Sequence, residues 1–263
     1  MSNYTDFIIQ ETVKLLNIDS PTGYTDDAAE FVLTELRALG YAPTKTRKGG
    51  VLVDLGGADA ENGVMLETHL DTLGGMVAEI KSNGRLRLTN IGGMNANNAE
   101  AENVRVVTKF DGKYEGTLQL TDASIHVNGD YSTTARAWEK MEVVLDENVS
   151  SADDVRVLGV SAGDFVCFEP RTRVTEKGYI KSRFLDDKLS VGVLLALAKQ
   201  VRDGALALSR RVWLHVTVFE EVGHGGAASV PAGVTEAISV DMGCVGDGLR
   251  CNETKVSICA KDS

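Results

Sequence analysis

The sequence is poor in the features that mark a disulfide-stapled, membrane-spanning or nucleic-acid-binding chain. It has only four cysteines in 263 residues, Cys167, Cys244, Cys251 and Cys259, and they lack a zinc-knuckle spacing. A chain this long does not depend on disulfides for its core, so they read as buried or free thiols in a reducing compartment. No run reaches the roughly 18 apolar residues of a membrane-spanning helix. The opening stretch MSNYTDFIIQETVKLLNI lacks the basic region and long apolar core of a secretion signal. Positive charge is scarce: 27 Lys and Arg stand against 38 Asp and Glu, a formal net charge of -11. That balance argues against nucleic acid and anionic membrane surfaces as the main partners. Internal repeats, low-complexity tracts and proline-rich linkers are also missing. The expectation is a soluble cytoplasmic protein.

What is present is enough apolar side chain for a sizeable core, 43% hydrophobic against 25% charged. The first 72 residues alternate helix and strand patterns. Phe7, Ile8, Val13, Leu15 and Leu16 form a helical stripe, and a second helix is expected over about 26–39, with Thr25 as its cap and Gly40 as its stop. VLVDLGG and GVMLETHLD follow as short buried strands. Over residues 73–173 the texture becomes all-β: GMVAEI, GRLRLTNIGG, NVRVVTKF, YEGTLQL, KMEVVL and DFVCF are separated by Gly, Asn and Asp turns, with helical periodicity only around STTARAWEKM. From residue 174 the α/β pattern resumes, with a helix at about 187–201, a strand over 211–219 and another at EAISVD. The sequence therefore predicts an α/β domain (1–72 and 174–263) interrupted by an inserted β domain.

The stretch FEEVGH, 219–224, places two neighbouring carboxylates at the end of the apolar run RRVWLHVTVF. His69 and Asp71 end a strand in the same manner, and Asp241 ends a third. Asp186 and Asp187 fall at a helix start, where free N–H groups favour negative charge. If these strands neighbour one another, the side chains converge on the rim where open α/β sheets bind ligands. Such a cluster repels itself unless cations neutralise it. One His with Asp and Glu is a donor mixture suited to zinc, cobalt or manganese. Taken singly, H-x-D, DD and EE are commonly a turn, a cap and a solvated face. Their shared position after apolar runs, in this order, is what points to a site.

His69-Leu70-Asp71, Asp186-Asp187-Lys188, Glu220-Glu221-Val222-Gly223 and Asp241, together with the early DSPTGYTDDA, resemble the motifs of the M42 family of dinuclear metallo-aminopeptidases, the cytoplasmic tetrahedral aminopeptidases. The resemblance runs from about Asp19 to the end. It implies a mixed-sheet α/β zinc-peptidase domain with an inserted PDZ-like β-barrel domain through which dimers assemble, up to a dodecamer. It also implies two divalent metal ions, zinc with cobalt or manganese as alternatives, and short peptides as substrates. His69 and Asp241 would bind one ion, Glu221 the other, and Asp186 would bridge them. Asp71 would orient the His69 imidazole through a hydrogen bond. Glu220 would take the proton of the attacking water and return it to the departing amine.

The family pattern also has a further histidine on the second ion. His69 already has a role, His215 reads as a core histidine, His126 as structural and His224 as unassigned, so the expectation is that this ligand lies beyond residue 263. Gly225 and Gly226 are expected to let the backbone pass close to the site. Two other functions remain open on the residues alone: a metal-independent glycosidase of the endoglucanase type, since paired carboxylates also cleave sugars, and an inactive assembling scaffold.

Overall fold

The computed structural model describes residues 3–226 and 228–259. Helix α1 (Asn3–Leu16) and helix α2 (Asp26–Ala38) come first, followed by strands β1 (Thr44–Lys45), β2 (Val51–Gly56) and β3 (Asp59–His69). Both helices form where the apolar stripe predicts. Thr25 stands at the α2 N-cap without a side-chain cap bond. Gly40 takes a φ of +83°, and the backbone closes there with Gly40 N–H on Arg37 O and Tyr41 N–H on Leu36 O, a left-handed stop that glycine adopts at little cost.

Six strands then curl into a closed barrel: β4 (Gly74–Ile80), β5 (Leu86–Ile91), β6 (Asn103–Val107), β7 (Lys113–Leu120), β8 (Met141–Leu145) and β9 (Phe165–Phe168), in the order β4-β5-β8-β7-β6-β9. Closure removes the free sheet edges that a short meander would expose. Inward residues such as Val77, Leu88, Val104, Leu118, Val143 and Val166 fill it as a core of its own. The helical periodicity near residues 132–141 does not become an α-helix. That stretch is turns and a single 3-10 turn, Trp138–Lys140, because Arg136 donates to the Tyr131 and Thr134 carbonyls and pairs with Glu100 instead. A short helix α3 (Ala152–Val157) appears where the apolar pattern raised no expectation. Its signal was a reciprocal cap: Ser151 accepts from Asp154 N–H while Asp154 accepts from Ser151 N–H.

A hairpin of β10 (Arg173–Val174) and β11 (Ile180–Lys181) leads to α4 (Leu185–Arg202), and β12 (Arg210–Thr217) and β13 (Val234–Ser239) complete the main sheet. Its order is β1-β2-β12-β3-β13; β12 and β13 run parallel to β3, and β2 runs antiparallel to β12. The fold is thus a mixed α/β arrangement with a closed six-stranded barrel between β3 and α4. Leu15 of α1, Val32 and Leu36 of α2 and Val191, Leu194 and Ala198 of α4 pack with Val51, Val53, Leu214 and Val216 into one core on one face of the sheet. The α1–α4 contact is close because α4 carries Gly192 there; a Cβ at that position would lie 2.2 Å from Thr12 Oγ1. Among the described residues, no helix is long and apolar enough to cross a membrane.

Candidate metal centre

The parallel pairing of β3 and β12 sets Thr217 beside His69, and β13 runs on the other side of β3 with Ser239 beside Glu67. The three strands therefore end on one rim. Leu70 N–H bonds Thr217 O at 3.0 Å and Val240 N–H bonds Glu67 O at 2.7 Å, which carries the ladder up to that rim. Beyond it the chain bends sharply. Phe219 takes a left-handed φ of +71° and Glu220–Val222 form a 3-10 turn, so the two glutamates leave the sheet together. Asp186 comes from the irregular first turn of α4, where Asp186 and Asp187 have non-helical backbone angles and a cis peptide joins them.

The buried imidazole of His69 is the centre of the cluster. Its Nε2 lies 3.0 Å from Asp186 Oδ1, 3.7 Å from Glu220 Oε2 and 3.9 Å from Asp241 Oδ2. Nδ1–H donates to the backbone carbonyl of Asp71 at 2.9 Å, which leaves Nε2 to face the carboxylates. Two sets of possible ligand atoms lie within 4.8 Å of one another: His69, Asp187 and Asp241, and His69, Asp186 and Glu221. The sequence predicted Asp186 with Asp241 on one ion; the second oxygen donor next to Asp241 here is Asp187. The Asp187 carboxylate, however, is almost wholly buried and already accepts from Thr68 Oγ1 and, at 3.1 Å, from His69 N–H. Both bonds fall on its Oδ2, which holds the end of β3, whereas Asp186 is half-exposed and able to face an ion.

The electrostatics are those of a site suited to cations. Burial pulls the His69 imidazole down, but the hydrogen bond to Asp186 and the fields of Asp187, Asp71 and Glu220 outweigh it and hold it up at about 10. Burial, reinforced by Asp186, pushes Glu221 up to about 7, and Glu220 is raised by burial against the opposing pull of His69. Burial likewise lifts Asp187 to about 7 despite its hydrogen bonds. The carboxylates that hold the His69 imidazole up would equally favour a divalent cation bound by nitrogen and oxygen donors.

Three observations bear on the expected roles. Asp71 does not orient His69 through its carboxylate, which is 3.7 Å from Nδ1; the backbone carbonyl does that. The carboxylate is fully buried and instead accepts from Thr22 Oγ1 at 2.6 Å and from the N–H groups of Glu220 and Glu221 at 3.2 and 3.4 Å. Gly225 packs against Glu220, where a Cβ would lie only 3.2 Å from the glutamate's own, as the expected close passage requires. His215 is buried on the sheet and hydrogen-bonded to Glu67 at 2.7 Å, a satisfied core histidine.

A family model described as M42 glutamyl aminopeptidase matches residues 49–263. The chain belongs to the M42 peptidase family. Its similar proteins include YhfE of Bacillus subtilis strain 168, a candidate aminopeptidase by name, 39% identical over 250 residues that cover 95% of this chain and 72% of YhfE. An aminopeptidase from the archaeon Desulfurococcus kamchatkensis shares the fold with a TM-score of 0.80 at 22% identity, over 96% of this chain and 68% of that one. The TET1 peptidase of Pyrococcus horikoshii, which can assemble into a tetrahedron or a large octahedral shell, does so with a TM-score of 0.77 at 24% identity, over 89% and 68%. The chain spans between half and two thirds of the length of the more distant curated relatives. Within this M42 chain, sequence reasoning assigned no role to Asp187 or Thr22. No pattern in the residues signals the first beyond its place in DDK, and the second lies within DSPTGYTDDA, a segment noticed but not connected to the rim.

Proposed function

We propose that the chain is a metal-dependent aminopeptidase that removes N-terminal residues from short peptides. The observation that carries this reading is the convergence of the Asp186, Glu220 and Asp241 carboxylates within 3.9 Å of one buried imidazole, on the rim where three strands end. His69, Asp186 and Asp241 would hold one divalent ion, and Asp186 and Glu221 a second, with Asp186 shared. Zinc is the first candidate, with cobalt and manganese as alternatives. Bound there, the ions supply Lewis acidity to the scissile carbonyl and make water nucleophilic near neutral pH.

The remaining work falls to this chain's own residues. Glu220 is half-exposed and is not needed as a ligand. Its raised pKa brings it nearer the value at which a carboxyl both accepts the proton of the attacking water and gives it up to the departing amine. Asp71 holds the Glu220–Glu221 turn by its N–H groups. The Asp71 carbonyl and Asp187 fix the ring and backbone of His69. The chain is also read as a homo-oligomer built through its barrel, as dimers that assemble further to a dodecamer. Exposed apolar side chains on the barrel segment, Phe110, Ile125, Val127 and Val157, support an interface there.

The test is a panel of aminoacyl p-nitroanilides offered to metal-loaded protein with and without a chelator. Cleavage that disappears with chelation and returns with zinc, cobalt or manganese is expected. Chelator-resistant cleavage of a β-glucan with no peptidase activity would overturn the reading in favour of a carboxylate-pair glycosidase.

A further inference from the structure

The turn that carries Glu220 and Glu221 has left the sheet ladder, yet proton transfer needs its carboxylates held to within a fraction of an ångström. The side chain that ties it down is Asp71, whose Oδ1 accepts from Glu220 N–H and whose Oδ2 accepts from Glu221 N–H. The rotamer preference of Asp71 does not by itself fix the rotation of its carboxylate, since the last torsion of an aspartate is broad. The shortest hydrogen bond to it, at 2.6 Å, comes from the Thr22 hydroxyl onto Oδ2, the oxygen that also serves Glu221.

Thr22 is in turn held from several sides. Its N–H bonds Thr72 O at 3.2 Å, Thr72 N–H bonds Ser20 O at 2.8 Å, and Ser20 Oγ donates to Leu70 O at 2.9 Å. A few residues upstream the same segment is gripped by α4 and by the barrel: the wholly buried Lys188 donates to Ile18 O at 2.6 Å, and Arg105 of β6 makes a two-pronged pair with Asp19 at 2.9 and 2.5 Å. Tyr24 completes the seat against Phe165 of β9, ring centroids 5.5 Å apart.

We propose that Thr22 is the positioning residue of the Glu220–Glu221 turn, acting through Asp71 from a segment clamped between α4 and the barrel. The proposal rests on the aminopeptidase reading for its kinetic consequence but not for its geometry. Thr22 does not touch substrate. It fixes the rotation of the Asp71 carboxylate, which fixes both N–H groups of the turn, and with them the positions from which Glu220 would meet a substrate and Glu221 would hold an ion.

The experiment compares Thr22→Val, which keeps the shape and removes the hydroxyl, with Thr22→Ser, which keeps the hydroxyl, both in the full chain. A hydrogen bond to a charged group is strong enough that Thr22→Val is expected to lower kcat about tenfold or more, with KM within about twofold and metal content unchanged. Thr22→Ser should stay within about twofold of the parent. Independently of turnover, the cobalt-loaded Val variant should shift its visible d–d absorption as Glu221 loosens, and the Ser variant should not. Should Thr22→Val fail to fold, Thr22→Ala replaces it in each measurement. Parental kcat and spectrum in the Val variant would overturn the proposal. So would a Ser variant as impaired as Val, which assigns the effect to packing of the methyl, or a Val variant that simply loses its metal. A parent protein with no peptidase activity would remove the functional reading instead, and the absorption spectra alone would then decide the role of Thr22.

Discussion

Replacing Glu220 by Gln tests the assigned chemistry most directly, because the structure separates its catalytic consequence from its structural one. Its carboxylate is 44% exposed and accepts no hydrogen bond from the described residues. Its described ion-pair partner is His69, whose Nε2 is 3.7 Å away and is approached more closely by Asp186. The tie to Asp71 runs through the Glu220 N–H, which the substitution leaves in place. An isosteric amide should therefore change folding stability by no more than about 0.5 kcal/mol. The proposed ligands His69, Asp186, Glu221 and Asp241 all remain, so metal content should hold. What is lost is a group able to accept and return a proton, and general acid–base catalysis contributes about 10²–10⁴-fold. At about 1.36 kcal/mol for each factor of ten, the barrier should rise by about 3–5 kcal/mol. The assay pairs kcat on an aminoacyl p-nitroanilide with elemental analysis of the same sample. Full metal occupancy with a fall in kcat of less than about fivefold would refute the assignment of the proton transfer to Glu220.

Three further outcomes follow from the same geometry. Asp186→Ala should deplete both ions, whereas Glu221→Ala should mainly deplete one; equal and nearly full occupancy in the two variants, read by elemental analysis, would sink the shared-ligand assignment. In metal-free protein the raised values of Asp187 and Glu221, each about 7, mean that the folded state binds more protons than the unfolded state between about pH 4.5 and 7. Stability contributed by these groups is full below that window and is lost as pH rises through it, so Tm should fall from pH 5 to 7 in chelator and fall less with zinc. A Tm of the metal-free protein that climbs across the window contradicts the burial argued for both carboxylates. Gly192→Ala should destabilise by about 1–3 kcal/mol in urea unfolding, since its Cβ would sit 2.2 Å from Thr12 Oγ1 and the gain in helix propensity of about 1 kcal/mol does not offset such overpacking. A Gly192→Ala variant as stable as the parent would show that α1 can shift without cost.

The sequence carried much of this architecture because burial writes itself in periodicity. Leu15, Val32, Leu36, Val191 and Leu194 recur at helical spacing and all enter one core, and each short apolar run between Gly and Asn turns became a barrel strand or a strand of the main sheet. The candidate site was legible for a related reason: a carboxylate or imidazole directly after an apolar run is unusual, so His69, Glu220, Glu221 and Asp241 stood out before any strand order was known, although the strand before Asp241 is itself exposed. Residues 132–141 misled because their helical spacing is weak and the side-chain bonds of Arg136, invisible in a pattern, decide the backbone. The duties of Asp71, Asp187 and Thr22 were hidden for a deeper reason. They depend on which atom of a side chain meets which distant N–H, and partners such as Thr22 and Asp71, 49 residues apart, leave no local trace.

The barrel occupies the interval between the two halves of the candidate metal centre, and this bears on the order in which the molecule is assembled. His69 and Asp186 are 117 residues apart in the chain, and bringing the ends of so long a flexible loop together costs about 4 kcal/mol of entropy. The first barrel strand begins at Gly74 and the last ends at Phe168, yet these two strands are neighbours, with Gly75 beside Val166 and Met76 beside Phe165. Once the barrel has closed, the segments leaving it are already side by side, and the long loop has become a short one. If the barrel, which has an apolar core of its own, closes first, most of the entropy of bringing His69 to Asp186 is already lost in forming it. A folded barrel is in this sense a template for the site, and an ion arriving at the rim finds donors gathered by a module that supplies none of them.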